Sequence, residues 1–197
     1  MAKAAAKTVQ AGAAAERRPA LAGQEVLASG VKVTVLPPAN RVSLRAPEEA
    51  VGSLSRALGV TLPQKPKTSA GKTSAGKAGR TVLWLGPDEW FVIDEKGGDA
   101  LADCGKAKGL HSAVDVSHRN VAFAVSGPAA ETAIEAGCPQ DLALAAFAVG
   151  ACSRTVLGKA EILLHRVGEQ EFRVECWRSF SDYVFGLLAE GARDAAA

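Results

Sequence analysis

A chain of 197 residues, 48% of them apolar and only 5% aromatic, is long enough for one domain with a core packed by Leu, Val and Ala. Its formal net charge of +2 is unevenly placed: Lys and Arg concentrate in 1–20 and 63–80, and the remainder is net acidic. That distribution excludes a folded basic face for nucleic acid, and the absence of any long apolar run argues against a secretory signal, a membrane span or membrane association.

Residues 1–20 are rich in Ala, Lys and Arg and offer no apolar face to dock. They read as a disordered tail before a domain at 21–194. Val31–Leu36 alternates, with Val31, Val33 and Val35 on one face, until Pro37-Pro38 stops it. Arg41–Arg45 is a second alternating run, and both predict half-buried strands. Pro47 suits the first turn of a helix whose apolar positions are Val51, Leu54 and Leu58. Glu48 and Glu49 favour its positive end and Gly59 its stop.

Gln64–Arg80 carries TSAGK in tandem, at 68–72 and 73–77. Gly71, Gly76 and Lys77 stand at phosphate-loop spacing, but Ala78 occupies the position of the required hydroxyl and no apolar strand precedes the loop. The stretch 64–80 therefore reads as a solvated, flexible basic insertion.

Thr81–Asp94 follows, with apolar runs Val82–Leu85 and Trp90–Ile93 flanking the turn signal Gly86-Pro87-Asp88-Glu89. This predicts a tight hairpin with Trp84 and Trp90 near its turn, anchoring a core or an interface. Asp99–Gly109 reads as helix or loop. Ala113–Val116 and Val121–Val125 read as strands around Ser117-His118-Arg119. Ser126-Gly127-Pro128 opens a helix through Ala136, stopped by Gly137. Arg41–Gly59 and Asn120–Gly137 thus share an order of strand, proline, short helix and glycine, which points to an internal duplication.

Pro139–Ala148 is loop or short helix. Strands at Thr155–Leu157, Ala160–Arg166 and Glu171–Cys176 turn at Gly158 and Val167–Gln170. A last helix from Ser179 to Gly191 has Ser179 as its cap and Phe180, Val184, Leu187 and Leu188 as its apolar stripe. The sum is an α+β domain with a mostly antiparallel sheet and packed helices.

Little in the chain reads as chemistry. His111, His118 and His165 lack the close pairing that a zinc site needs and read as surface or turn residues. Asp115, His118 and Ser117 or Ser126 lack a nucleophile elbow. Cys104, Cys138, Cys152 and Cys176 form no CxxC pair and read as free, small apolar groups in a reducing cytoplasm. No dinucleotide fingerprint occurs. No catalytic, cofactor-binding or metal residue is assigned.

Five segments in order resemble the γ subunit of heterotetrameric sarcosine oxidase over roughly 31–190. They are Leu85-Gly86-Pro87-Asp88-Glu89-Trp90, Asp115-Val116-Ser117-His118-Arg119, Ser126-Gly127-Pro128-Ala129-Ala130, Cys138-Pro139-Gln140-Asp141-Leu142 and Arg178-Ser179-Phe180-Ser181-Asp182-Tyr183. That family is similar in turn to the folate-binding domain of the glycine-cleavage aminomethyltransferase. The resemblance implies a duplicated α+β fold and a non-catalytic subunit of a cytoplasmic oxidoreductase. That complex converts sarcosine to glycine and hydrogen peroxide. With tetrahydrofolate it yields 5,10-methylenetetrahydrofolate. FAD, FMN, NAD, tetrahydrofolate and zinc are implied for the α, β and δ chains, which are the implied partners; none is expected on this chain.

The alternative is a stand-alone folate-binding or aminomethyltransferase-like protein of one-carbon metabolism. Those chains are longer and carry a further C-terminal domain. Iron–sulfur-repair relatives carry a cysteine motif where this chain reads Leu157-Gly158-Lys159-Ala160. On the subunit reading, aromatic and charged residues crowded at turns mark a partner surface. The assigned residues are Pro87, Asp88, Glu89, Trp90, Arg178, Phe180 and Tyr183.

Overall fold

The structure, a computed structural model, describes residues 20–21, 23–71 and 79–195. The predicted tail lies, except for Ala20, outside the described residues, as does the second TSAGK copy. Strands β1 (Glu25–Ala28), β2 (Val31–Val35) and β3 (Asn40–Arg45) precede helix α1 (Glu48–Leu58). Then come β4 (Ser69–Ala70), β5 (Arg80–Gly86), β6 (Glu89–Asp94), α2 (Ala100–Cys104), β7 (Ser112–Asp115), β8 (Asn120–Ser126) and α3 (Ala130–Glu135). The chain closes with β9 (Cys152–Leu157), β10 (Ala160–Gly168), β11 (Glu171–Trp177) and α4 (Ser181–Asp194).

These strands form two antiparallel sheets, not one: a first sheet in the order β1-β2-β8-β11-β10-β9 and a second in the order β4-β5-β6-β3-β7. Strand alternation explains how they stack. On β8 and β11, Phe123, Val125, Phe172 and Val174 face outward onto Ile134 of α3 and Val184 and Leu188 of α4. On β3 and β6, Leu44, Trp90 and Val92 face outward onto Leu54 and Leu58 of α1 and Cys104 of α2. A smaller cluster, including Leu83, Phe91, Ile93, Cys152 and Leu163, fills the space between the sheets. The result is four layers: helix, sheet, sheet, helix.

The duplication is visible as β3–α1 in one sheet and β8–α3 in the other. α1 begins after Pro47 and ends at Gly59 in the left-handed conformation, as read from sequence. α3 starts later than predicted. Gly127 has φ +118° and lies so close to Gly30 that a Cβ would sit 2.2 Å from its carbonyl oxygen. The chain therefore turns around that contact before the helix begins.

Within 64–80, residues 64–67 are exposed, but the stretch 67–70 is held by backbone hydrogen bonds. The Ser69 N–H bonds Gly150 O at 3.0 Å and the Trp84 N–H bonds Thr68 O at 3.0 Å. The Cys152 N–H bonds Lys67 O at 3.2 Å. Residues 67–70 are thus a strap that hydrogen-bonds to both sheets. Its composition is that of a linker, but backbone groups, which composition does not report, hold it in place. Arg80 is buried too: its guanidinium meets Asp94 Oδ2 at 2.7 Å, Leu58 O at 2.8 Å and Asp103 Oδ2 at 2.6 Å.

Between the sheets lies an ion network. Arg41 of β3 grips Glu175 of β11 in a fork, Nε to Oε2 at 2.7 Å and Nη2 to Oε1 at 3.1 Å, both side chains 1% exposed. Arg173 donates from Nε to Glu175 Oε1 at 2.8 Å and from Nη1 to Glu95 Oε1. One buried carboxylate therefore answers two guanidinium groups. Glu175→Ala leaves both without it, and the loss of a buried partner costs about 3–5 kcal/mol. Denaturant unfolding should show that loss, whereas Lys32→Ala, which breaks the exposed Lys32–Glu25 pair at 3.2 Å, should change stability by less than about 1 kcal/mol.

Candidate partner interface

The hairpin turn is formed by Pro87 and Asp88, both exposed, between Gly86 and Glu89. Its acids are bound within the chain. Arg45 reaches Asp88 Oδ2 at 3.2 Å and Glu89 Oε2 at 3.0 Å, and Arg154 of β9 reaches Glu89 Oε1 at 2.6 Å. Glu89 thus ties β9 of the first sheet to the hairpin of the second.

Trp90 does not belong to this surface. It is 1% exposed, and its Nε1–H donates to Pro63 O at 2.7 Å. Strand parity sends it to the same side as Val92, against α1, so its predicted role at an interface is replaced by one in the core.

The start of α4 also differs from expectation. Arg178–Phe180 form a 3-10 turn and the helix proper starts at Ser181, whose Oγ donates to Arg178 O at 2.8 Å. Ser179 makes no cap. Val184 and Leu188 are buried and Leu187 partly so, but Phe180, in the 3-10 turn, points away from their stripe. It forms part of an exposed aromatic group: Trp177 is 45% exposed, Phe180 40% and Tyr183 41%. The Lys159 N–H donates to Tyr183 Oη at 3.1 Å, which holds that ring against the β9–β10 turn.

Of the residues assigned to the partner surface, Glu89 lines a cleft whose other wall includes a residue that was not assigned. Glu89, from the hairpin, and Trp177, next to Arg178, line one cleft between the inner faces of the sheets, with Phe91 and Leu163 as apolar lining. Sequence reasoning missed Trp177 and Arg119, whose guanidinium lies 5.5 Å from the Trp177 ring centroid. The signal was available: Trp177 continues the alternation of Arg173 and Glu175 by one more step.

The remaining candidates resolve into structure. Ser117 donates through Oγ to Asp115 Oδ1 and accepts the Arg41 N–H at 2.8 Å, so it braces a turn, while His118 beside it is exposed. His111 sits in a turn, with Nδ1 3.0 Å from Gly109 O. His165 is not at the surface; it is buried in β10. Ser69 Oγ donates to Gly150 O at 2.6 Å, so its 3.0 Å contact with His165 Nε2 requires the imidazole to donate. Burial and the nearby positive charge of Arg173 lower the His165 pKa to about 4. Burial raises the thiols of Cys104 and Cys152 to about 11 and that of Cys176 to about 12. No cluster of His, Cys, Asp or Glu suited to a metal occurs among the described residues.

A family model described as the sarcosine oxidase gamma subunit family matches residues 46–195. The chain belongs to this family. It is 33% identical over 162 residues to sarcosine oxidase subunit gamma of Corynebacterium sp. (strain P-1), covering 80% of this chain and 78% of that one. It is 36% identical over 142 residues to the corresponding subunit of an Arthrobacter species, covering 69% and 67%. Among solved structures it is similar to heterotetrameric sarcosine oxidase from Corynebacterium sp. U-96 in complex with pyrrole 2-carboxylate. That match has TM-score 0.78, 29% identity and coverage of 88% of this chain and 89% of that one. Aminomethyltransferase T of the glycine cleavage system from Bartonella henselae shares the fold at TM-score 0.62 and 14% identity, with coverage of 81% and 45%. The duplicated α+β architecture expected from sequence is thus shared by the gamma family and the aminomethyltransferase.

Two measurements separate core from surface in this gamma-family chain. Trp90→Ala should cost about 3–5 kcal/mol, while Phe180→Ser should stay within about 0.5 kcal/mol of wild type in the same unfolding experiment. His165 supplies the second. Its folded pKa, about 4, lies below the ordinary 6.5, so its contribution is complete above pH 6.5 and lost as pH falls toward 4. Urea unfolding at pH 7 and pH 5 should show wild type losing about 2 kcal/mol more than His165→Gln, which keeps a donor for Ser69.

Proposed function

We propose that this chain is the gamma subunit of a heterotetrameric sarcosine oxidase and that it works by presenting surface to larger partner chains. The observation that carries the reading is its match, along nearly its whole described length, to a chain of the heterotetrameric enzyme. On this reading the partners are alpha, beta and delta chains, and they hold FAD, FMN, NAD, tetrahydrofolate and zinc. They oxidise the N-methyl group of sarcosine and pass the one-carbon unit to tetrahydrofolate, in the cytoplasm. No helix among the described residues is long and apolar enough to cross a membrane.

The docking surface on this reading is the hairpin turn at Pro87, Asp88 and Glu89 together with Arg178, Phe180 and Tyr183. Half-exposed aromatic rings support it, because such rings recur as anchors in subunit contacts. High thiol pKa values and a neutral imidazole committed to Ser69 favour a structural part over a reactive one.

Co-expression with the flavin-carrying oxidase chains tests this. The chain should co-purify with them, and alone it should be colourless and inert toward sarcosine. A purified chain that turns over an amine or holds a flavin overturns the reading. Phe180→Ser combined with Tyr183→Ser should reduce co-purification at least tenfold. Leu27→Ser, an exposed apolar change on the edge strand β1, should leave it unchanged.

A further inference from the structure

Two exposed apolar side chains of the first sheet lie on the face that alternation turns toward the second sheet. Trp177 stands two residues beyond Glu175 on β11, so it shares the side that buries the Arg41 pair. Val156 shares its side of β9 with Arg154 and Cys152 and pairs with Glu161, which lines the cleft. Val114 of β7, exposed as well, pairs with Ser43, which lines the cleft from the second sheet. The inner layer of the sandwich is therefore incomplete at this cleft.

Among the described residues the charges around it are matched with one exception. Glu89 is bound by Arg45 and Arg154, Glu161 lies 4.0 Å from Arg154, and Glu175 is held by Arg41 and Arg173. Arg119 is held by Asn120 Oδ1 at 3.4 Å and by the Trp177 ring at 5.5 Å, neither of them an anion. The cleft thus pairs an uncovered aromatic face with a cation that lacks a carboxylate in these contacts.

Building on the gamma-subunit reading, we propose that a loop of the large oxidase chain packs across the mouth of this cleft, with a bulky apolar side chain next to an Asp or Glu. The apolar group covers Trp177 and Val156, and the carboxylate takes the free edge of the Arg119 guanidinium. An arginine already stacked on an aromatic face loses little freedom on forming such a pair, and closure excludes water from it. A purely basic segment is repelled by Arg119, and a purely apolar one leaves that cation desolvated without a partner.

The test uses the assembled complex. Arg119→Glu and Trp177→Ala should each weaken binding of this chain to the rest of the oxidase at least tenfold, with circular dichroism and unfolding midpoints near those of wild type. Arg56→Glu, on the exposed side of α1, should change nothing. A photo-crosslinking residue at Val156 should capture a partner peptide with an acidic residue beside an aromatic or large aliphatic one. Reversing that acid to Lys should restore binding to Arg119→Glu. If the complex forms and both cleft variants bind as wild type, the inference fails while the subunit reading stands. Capture of a peptide without an acid, or of a second copy of this chain, also overturns it. If the wild-type chain does not join the flavin chains, both readings fall together.

Discussion

The molecule depends on a fork of two hydrogen bonds between Arg41 and Glu175. Sheet faces usually meet through apolar residues, yet here each sheet gives its larger apolar side to helices. What remains for the inner layer is a small cluster around Phe91, Ile93 and Leu163 and a set of charges. Removing those charges from water is costly, and they return the cost only if every donor and acceptor is met. Arg41 also donates from Nη1 to Ala39 O at 3.0 Å, so its guanidinium is fixed from more than one direction. The network ties β3 to β11 and sets how the two duplicated halves face each other. The cleft beside it, with Ser43 and Glu175 in its lining, inherits its shape from that arrangement.

The local elements were legible from the chain because their signals are local. Pro47 and Gly59 bracket α1, and Pro87-Asp88 marks the hairpin. The layering was not legible. In EFRVECW the charged positions look like a solvent face, since alternation reports that two sides differ and says nothing about what covers each. Strand β1 was missed because Glu25–Ala28 is short and has no buried residue, and β4 because two residues carry no periodicity. The interface reading erred at Trp90 for a related reason. Position near a turn suggested exposure, while parity with Val92 places the ring inside. Trp177 and Arg119 escaped notice because their meeting joins residues from different strands.

The chain holds its four thiols and one of its three imidazoles away from solvent. Cys152 has its Sγ within 3.2 Å of Thr68 O, and Cys104, Cys138 and Cys176 are buried. His165 spends its proton on Ser69. What it exposes instead is shape, an aromatic group at the start of α4 beside a charged hairpin. That division of labour agrees with a family whose members are named as subunits of an oxidase.

The strap at 67–70 has a consequence for how this protein tolerates changes in length. On one side of 72–78 the chain is stitched to both sheets. A Cβ at Gly71 would sit 2.2 Å from Arg80 O, so only glycine lets the backbone pass there. On the other side Arg80 is locked to Asp94. The first copy of the pentapeptide supplies Thr68, Ser69 and Ala70 of that strap, so deleting it would remove the hydrogen bonds to Gly150 and Trp84 along with five residues of chain.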